Sequence, residues 1–325
     1  MATAPEPPTL IISTPKAGHV NQCIAFCEAA GWRVDETHRL PKAKAMPLGL
    51  HRFLSRAQRQ RLGRDIARRY REEPRLRVVA SGASSEPVVR LLRRHFGKRL
   101  FAVFVGTPRL HEPLFDAAIS SRHEIETGER EGETAAARTF WIDGCLVRRI
   151  GAAAPPDALH LTVLVGGANR TYELEPAPLT DQLRGMIATL ALGPSDVSLV
   201  FSRRTPQALA DALTAAFPGV SLVPASDRAG FERAYARASH LAVTPDSITM
   251  VCEACASGRP VGVFSLPSGN DESSAARFIT AFRKAGYIAW GRLPAAGESL
   301  SPWNPETAAR AVDEMNRAWL GGGTP

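Results

Sequence analysis

The stretch VTPDSITMVCEACASGRPVGVF, residues 243–264, holds the densest set of side chains able to grip a ligand. It reads as a strand end, a loop, a helix, a glycine stop and a new strand. Ile248, Val251, Cys252 and Cys255 recur at helical spacing and form the buried face. Asp246, Thr249, Glu253 and Ser257 fall on the other side, which has no Lys or Arg and carries small residues. Such a face suits the border of a cleft better than open solvent. Thr244, Asp246, Ser247 and Thr249 then offer hydroxyls and backbone N–H groups at a helix N-terminus, which favours phosphate. Glu253, one to two turns along, is placed to accept hydrogen bonds from sugar hydroxyls. Gly258 at C′ and Pro260 end the helix.

Three further loops follow apolar strands. After residues 161–165 comes GGANRTY, where Gly166 and Gly167 allow close backbone approach to a ligand and Asn169 and Arg170 supply donors. After residues 197–201 comes SRRTP, where Arg203 and Arg204 form a diphosphate clamp. Thr205 reads as the N-cap of the next helix and Pro206 as its first residue. After residues 9–14 comes PKAGHVNQ, where Gly18 gives a tight turn and His19 sits at a helix start. A helix N-terminus lowers a histidine's pKa, so a neutral His19 suits general-base work. Each motif also has a plainer reading: a cap, a surface arginine pair, an exposed histidine. No G-x-G-x-x-G or Walker A motif supports nicotinamide or P-loop chemistry, and no His/Cys cluster points to a metal.

The elements that must position these loops alternate strand and helix, which predicts an α/β fold with parallel sheets. Two Rossmann-like, doubly wound domains are expected, facing a cleft: residues 1–150, residues 151–301, and a final helix at 302–325 packing back on the first domain. The small, proline-rich IGAAAPPDA at 150–158 reads as the link, and 127–133 as a polar loop. In such sheets ligands sit beyond the carboxyl ends of the strands. The 325 residues, 44% hydrophobic, contain no apolar run of membrane-span length and no signal-peptide pattern, so a cytosolic protein is expected. Five scattered cysteines read as core thiols.

The net charge of +8 lies in the first half, concentrated in residues 51–77, which hold ten arginines. Arg56, Arg59, Arg64 and Arg68 predict a face for an acidic partner such as anionic lipid, with a solvated helix face as the bland alternative. Interleaved aromatics and recognised modules are lacking, which argues against nucleic acid.

Together, GHVNQCIAFCEAAGW, the SGASSEPVVRLLRR region, LVGGANR, FSRRTP and residues 243–264 resemble the mitochondrial-fission family named after plant "elongate mitochondria" proteins. Its bacterial members are described as nucleoside-diphosphate-sugar epimerases or glycosyltransferases. The resemblance covers residues 9–290 and implies a layout similar to the GT-B glycosyltransferases. It implies a ribose-binding role for Glu253, a catalytic or acceptor-facing role for His19, and an acceptor side that includes Gly18 and Asn21. The first half departs from the family pattern, with SGASSEPV and SRHE where SGRRTAPV and PEHD are expected.

The reading is therefore a metal-independent glycosyltransferase. A nucleoside-diphosphate sugar is its co-substrate, no resident cofactor is required, and a lipid-linked or membrane-surface acceptor is expected. Two alternatives stay open: a non-catalytic recruitment protein at a membrane surface, and a nucleotide-sugar epimerase. Sugar, base, acceptor and oligomeric state are not read from the sequence.

Overall fold

A computed structural model describes residues 6–40, 50–110, 112–124, 137–150 and 158–322, with side chains from 56 onward in the second helix. The linker at 151–157 and the polar loop at 127–133 lie outside the described residues. The chain forms two compact units, one of Met1–Arg148 with Pro305–Pro325 and one of Arg149–Asn304.

In the first unit, β1 (Thr9–Ser13), β2 (Glu36–Arg39), β3 (Leu76–Ser81), β4 (Leu100–Val105), β5 (Ala117–Ser121) and β6 (Arg138–Ile142) make one sheet in the order β2-β1-β3-β4-β5-β6. Every pairing is parallel, as in Ile11 opposite Thr37 and Leu10 opposite Val78. The four inner strands are buried along their whole length. A parallel sheet covered on both faces demands this, because neither side of a strand meets water. Helices α1 (Ala17–Ala30), α2 (Leu50–Arg69) and α3 (Glu86–Phe96) supply the covers. One core layer joins Leu10, Val78, Val88, Leu92 and Phe104, and the other joins Ile11, Phe26, Val79, Phe101 and Val103. The edge strands β2 and β6 escape a hydrophobic reading because ETHR and RTFWI are only half covered.

The second unit repeats the plan. Its strands are β7 (Leu161–Val165), β8 (Val197–Phe201), β9 (Ser221–Val223), β10 (His240–Val243), β11 (Val261–Val263) and β12 (Ala289–Trp290). They pair in parallel in the order β12-β11-β10-β7-β8-β9. Between them run α4 (Pro176–Thr189), α5 (Gln207–Ala216), α6 (Arg228–Arg237), α7 (Ile248–Ala256) and α8 (Ser274–Lys284). The two-residue β12 is too short to leave a periodic signal. Among the described residues no helix is long and apolar enough to cross a membrane.

The last helix, α9 (Glu306–Leu320), belongs to the first unit. Ala309, Val312, Asn316 and Trp319 recur at three- and four-residue spacing and are buried. Trp319 lies 5.5 Å from the Phe101 ring, and its Nε1 donates to the Lys98 carbonyl at 2.8 Å. Asp313, 6% exposed, accepts from Trp32 Nε1 at 2.7 Å and from Arg317 Nε at 2.8 Å. The return to the first unit starts later than the expected residue 302. Trp303 stays in the second unit, where its ring lies 5.6 Å from Phe282.

The basic stretch 51–77 divides by role. Leu62 and buried Gly63, Ile66 and Ala67 face the core. A Cβ on Gly63 would lie 3.2 Å from Leu91, so glycine lets α2 sit close on α3. Arg77 is 2% exposed, stacks 4.7 Å over Trp32 and donates to the Pro7 carbonyl. Arg69 pairs with Glu36 at 2.6 Å. These arginines hold the fold. Arg56, Arg64 and Arg68 are exposed and Arg59 is partly buried.

Asp313→Ala should lower the urea-unfolding free energy by about 2–3 kcal/mol, because it strands the buried Trp32 N–H. Asp313→Asn should lose less, since an amide oxygen still accepts.

Candidate functional site

Three strands of the second unit, β7, β8 and β10, end side by side, and their loops are tied together by one carboxylate. Asp246 is 5% exposed. Its Oδ1 accepts from Thr244 Oγ1 at 2.6 Å, and its Oδ2 accepts from the Gly167 N–H at 3.1 Å and from Arg204 at 2.9 Å. Thr244 Oγ1 in turn accepts from the Gly166 N–H at 2.8 Å. Asn169 donates to the Asp246 carbonyl at 2.8 Å, while its Oδ1 accepts from the N–H groups of Thr171 and Tyr172. Burial pushes the Asp246 carboxyl above its ordinary pKa, while Thr244, Gly167 and Arg204 favour the anion.

This network changes the role of several residues read from the sequence. Thr244, Asp246 and Asn169 commit their side chains to neighbouring loops rather than to a ligand. Arg204 is half occupied by Asp246, its side chain 51% exposed. The glycine pair serves loop packing first: a Cβ on Gly166 would lie 2.1 Å from Asp246 Oδ1, and one on Gly167 would lie 2.1 Å from the Arg204 carbonyl. Thr205 is not the N-cap of α5; that position falls to Pro206, without a side-chain bond. Its hydroxyl instead bridges loops, donating to the Val165 and Gly166 carbonyls and accepting from the Ser202 N–H.

What the network leaves facing outward is narrower. Ser247 is the N-cap of α7, its side chain accepting from the Met250 N–H at 3.5 Å. Ser247 and Thr249 are partly buried at the mouth of that helix, and Arg203 is exposed. Glu253 is partly buried between the inward residues Cys252 and Ala254. Burial raises its pKa to about 7, with Arg228 pulling the other way. Gly258, at φ +70°, closes the helix as the spacing predicts.

Arg228 was not singled out in the sequence. It opens α6, whose N-cap Asp227 accepts from the Gly230 N–H at 2.7 Å. A D-R-x-G run after a strand was the available signal. Tyr235, on the same helix, donates to the Glu253 carbonyl at 2.5 Å and so fixes α6 to α7.

In the first unit, His19 lies in the first turn of α1, with Nδ1 2.7 Å from Thr14 Oγ1. Its pKa is lowered, first by burial and then by Lys16. The direction matches the sequence reading, but burial dominates rather than the helix end. Gly18 is helical and makes no turn; a Cβ there would meet nothing within 4 Å. The constrained glycine is Gly82 after β3, at φ +81°, where a Cβ would lie 2.5 Å from Thr14 and 2.9 Å from His19 Nδ1. Asn21 is exposed.

Two doubly wound parallel sheets, each with its loops gathered beyond the strand ends, define a GT-B-like protein. Solved structures agree at the level of fold. A protein from Listeria monocytogenes assigned as a UDP-N-acetylglucosamine 2-epimerase superposes with a TM-score of 0.55 at 10% identity, over 98% of both chains. MurG of Acinetobacter baumannii gives 0.50 at 12% identity, over 98% of this chain and 96% of that one. Phytolacca americana UGT2, solved with UDP-2-fluoroglucose and pterostilbene, gives 0.50 at 9% identity, over 96% and 92%. No curated protein matches by sequence. The chain belongs to the mitochondrial fission ELM1 family, which it matches over residues 17–319, in agreement with the resemblance read from its motifs.

Asp246→Ala should destabilise the protein by about 2–3 kcal/mol, since it leaves a buried hydroxyl and a buried backbone N–H without their acceptor and half-exposed Arg204 without its partner. Chemical denaturation checks this. A loss below about 1 kcal/mol would show that the loops hold together without the carboxylate.

Proposed function

We propose that this chain is a glycosyltransferase that takes a nucleoside-diphosphate sugar, with the second domain holding the donor. The observation that carries the reading is Glu253, a partly buried carboxylate about one and a half turns into α7, the helix that follows the loop locked by Asp246. The free N–H groups at that helix start, with Arg203 and the open side of Arg204, neutralise the diphosphate. Glu253 accepts from the ribose hydroxyls. Such a leaving group needs no metal, because oriented N–H groups and guanidinium carry its charge.

His19 is the proposed base for the acceptor hydroxyl. To accept a proton at Nε2, its ring must carry hydrogen on Nδ1 and donate it to Thr14 Oγ1, the contact seen at 2.7 Å. A lowered pKa keeps the ring neutral, and so free to accept a proton, near pH 7. Gly18 and Asn21 border the same helix start and are assigned to the acceptor side.

Titration calorimetry with uridine and guanosine diphosphates tests the donor site. A charged hydrogen bond is worth about 1.5–3 kcal/mol, so Glu253→Ala should weaken binding about 10- to 150-fold. The pH dependence has a defined sign. With a pKa raised to about 7, Glu253 is protonated below that pH and becomes the better acceptor above it. Affinity should therefore rise between pH 6 and 8 in the native protein and stay flatter in Glu253→Gln. The same raised pKa makes ionised Glu253 a cost to folding that is absent at low pH and complete above about 7. That cost sets in as pH rises past about 4.5, so Glu253→Gln should raise Tm at pH 8 and much less at pH 5. Unchanged nucleotide affinity in Glu253→Ala would remove the donor site and favour a recruitment role.

A second reading concerns the acceptor side. Arg61, Arg64 and Arg68 line a surface hollow of about 390 Å³ on α2, in which Asp65 is the carboxylate. Asp65 engages Arg68 at 3.2 Å and Arg61 at 3.8 Å, so positive charge remains. We infer that this face, with Arg56 and Arg59, meets an anionic membrane surface bearing the acceptor. Phosphatidylserine vesicles should sediment the protein, less so as salt rises, and Arg64→Ala with Arg68→Ala should reduce this. Equal binding to neutral vesicles would return α2 to a solvated helix.

A further inference from the structure

We propose that the second domain carries a further anion site, at the end of its sheet opposite the donor loops, for a small phosphorylated or carboxylated molecule. The site is a cavity of about 490 Å³ at the C-terminal end of α7, lined by Arg149, Ser257, Arg259, Tyr287, Ser301 and Trp303 among others. Ser247 marks the other end of the same helix. Nine residues at about 1.5 Å each put the phosphate-binding helix start roughly 13 Å away, while Glu253 stands three residues before the cavity's end of the helix.

Arg259 carries the argument. It stands just before β11 and is 7% exposed. Its guanidinium lies 5.6 Å from the Tyr235 ring centre, and Nη2 makes only a long contact, 3.4 Å, to the Ala236 carbonyl. Nη1 is buried and has no hydrogen-bond partner. Among the described residues no carboxylate pairs with this guanidinium. Among the described lining residues the carboxylate is Glu298, which is already held by Arg292 at 2.6 and 2.9 Å and by the Ala295 N–H at 2.8 Å. A buried guanidinium without a counter-ion costs several kcal/mol by general experience, and an orphaned buried donor of this kind calls for a partner. Burial accordingly lowers the Arg259 pKa. A phosphate or carboxylate fits the guanidinium fork and supplies the missing charge.

The size of the cavity describes the rest of the ligand. It falls within the roughly 300–1,000 Å³ of small-molecule sites and exceeds what a bare anion fills. Ser299 and Ser301 line it together with Trp303. A molecule with an anionic head and a hydroxyl-bearing body suits this lining. The first unit offers a contrast. Its cavity of about 590 Å³ around Arg75, Arg93, Lys98 and Arg99 is also basic. There, however, Arg93 is satisfied by Asp116 and by the Leu100 and Leu114 carbonyls, and Arg99 by the Arg71 and Glu73 carbonyls.

Thermal shift and titration calorimetry on the full chain, at ionic strength matched with sodium chloride, test the proposal with three probes: inorganic phosphate, citrate and glucose 6-phosphate. At least one should raise Tm by several degrees at saturation. Arg259→Lys should weaken that probe 10-fold or more, since lysine lacks the fork. Ser299→Trp, at an exposed position, should block the cavity without touching the core. Both variants should keep native affinity for a nucleoside diphosphate, while Glu253→Ala should keep native affinity for the probe. Failure of this site and failure of the donor site are therefore distinguishable. The proposal is overturned if no probe shifts Tm beyond the chloride control, or if the shift persists undiminished in both variants.

Discussion

The second domain depends on the Asp246 carboxylate. Its oxygens take a hydroxyl from its own loop, a backbone N–H from the loop after β7 and a guanidinium from the loop after β8. Without such an acceptor, those loops would have to satisfy buried donors separately, at a cost comparable to a lost hydrogen bond each. With it, the glycine pair can press against Asp246 and the Arg204 backbone, closer than any Cβ permits. The start of α7 is thereby held before any ligand arrives. A site built this way loses little conformational freedom on binding, which is the physical content of preorganisation.

Glu253 shows the opposite design. It is an ionisable group kept partly out of water, with no hydrogen-bonded counter-ion among the described residues and a pKa raised to about 7. Helix α6 fixes its backbone through the Tyr235 bond to its carbonyl, although the charge of its side chain is unwelcome there. Strain of this kind tends to gather where a partner later relieves it. Arg259, three residues past the end of α7, is its cationic counterpart: buried, with one nitrogen unpartnered. Tyr235 touches both residues, donating to the Glu253 carbonyl and lying under the Arg259 guanidinium.

The first domain uses its polar groups differently. Asp313 and Arg77 flank Trp32, one accepting its N–H and the other stacking on its ring, and so join the last helix to the first strands' core. Much of the basic appearance of residues 51–77 dissolves in this packing. Arginines that look alike in sequence divide into buried struts such as Arg77 and exposed charges such as Arg64.

The sequence by itself determined the inner strands, the helices between them and the loops that meet at the strand ends. These are written in local periodicity, since a fully covered parallel strand must be continuously apolar and a covering helix must repeat at three and four residues. It also marked Glu253 as an odd carboxylate, because the surrounding face lacks the charges of a solvated helix. The half-covered edge strands β2 and β6 left no such pattern, nor did the two-residue β12. Only the tertiary structure decided what the loop side chains do. Gly167 reaches Asp246 across 79 positions and Arg204 across 42. No window of sequence holds both ends of such a bond. Asp246 therefore reads as a ligand-facing acid in the sequence and proves to be the buried knot of its own domain, because hydrogen-bond partners are chosen by proximity in space.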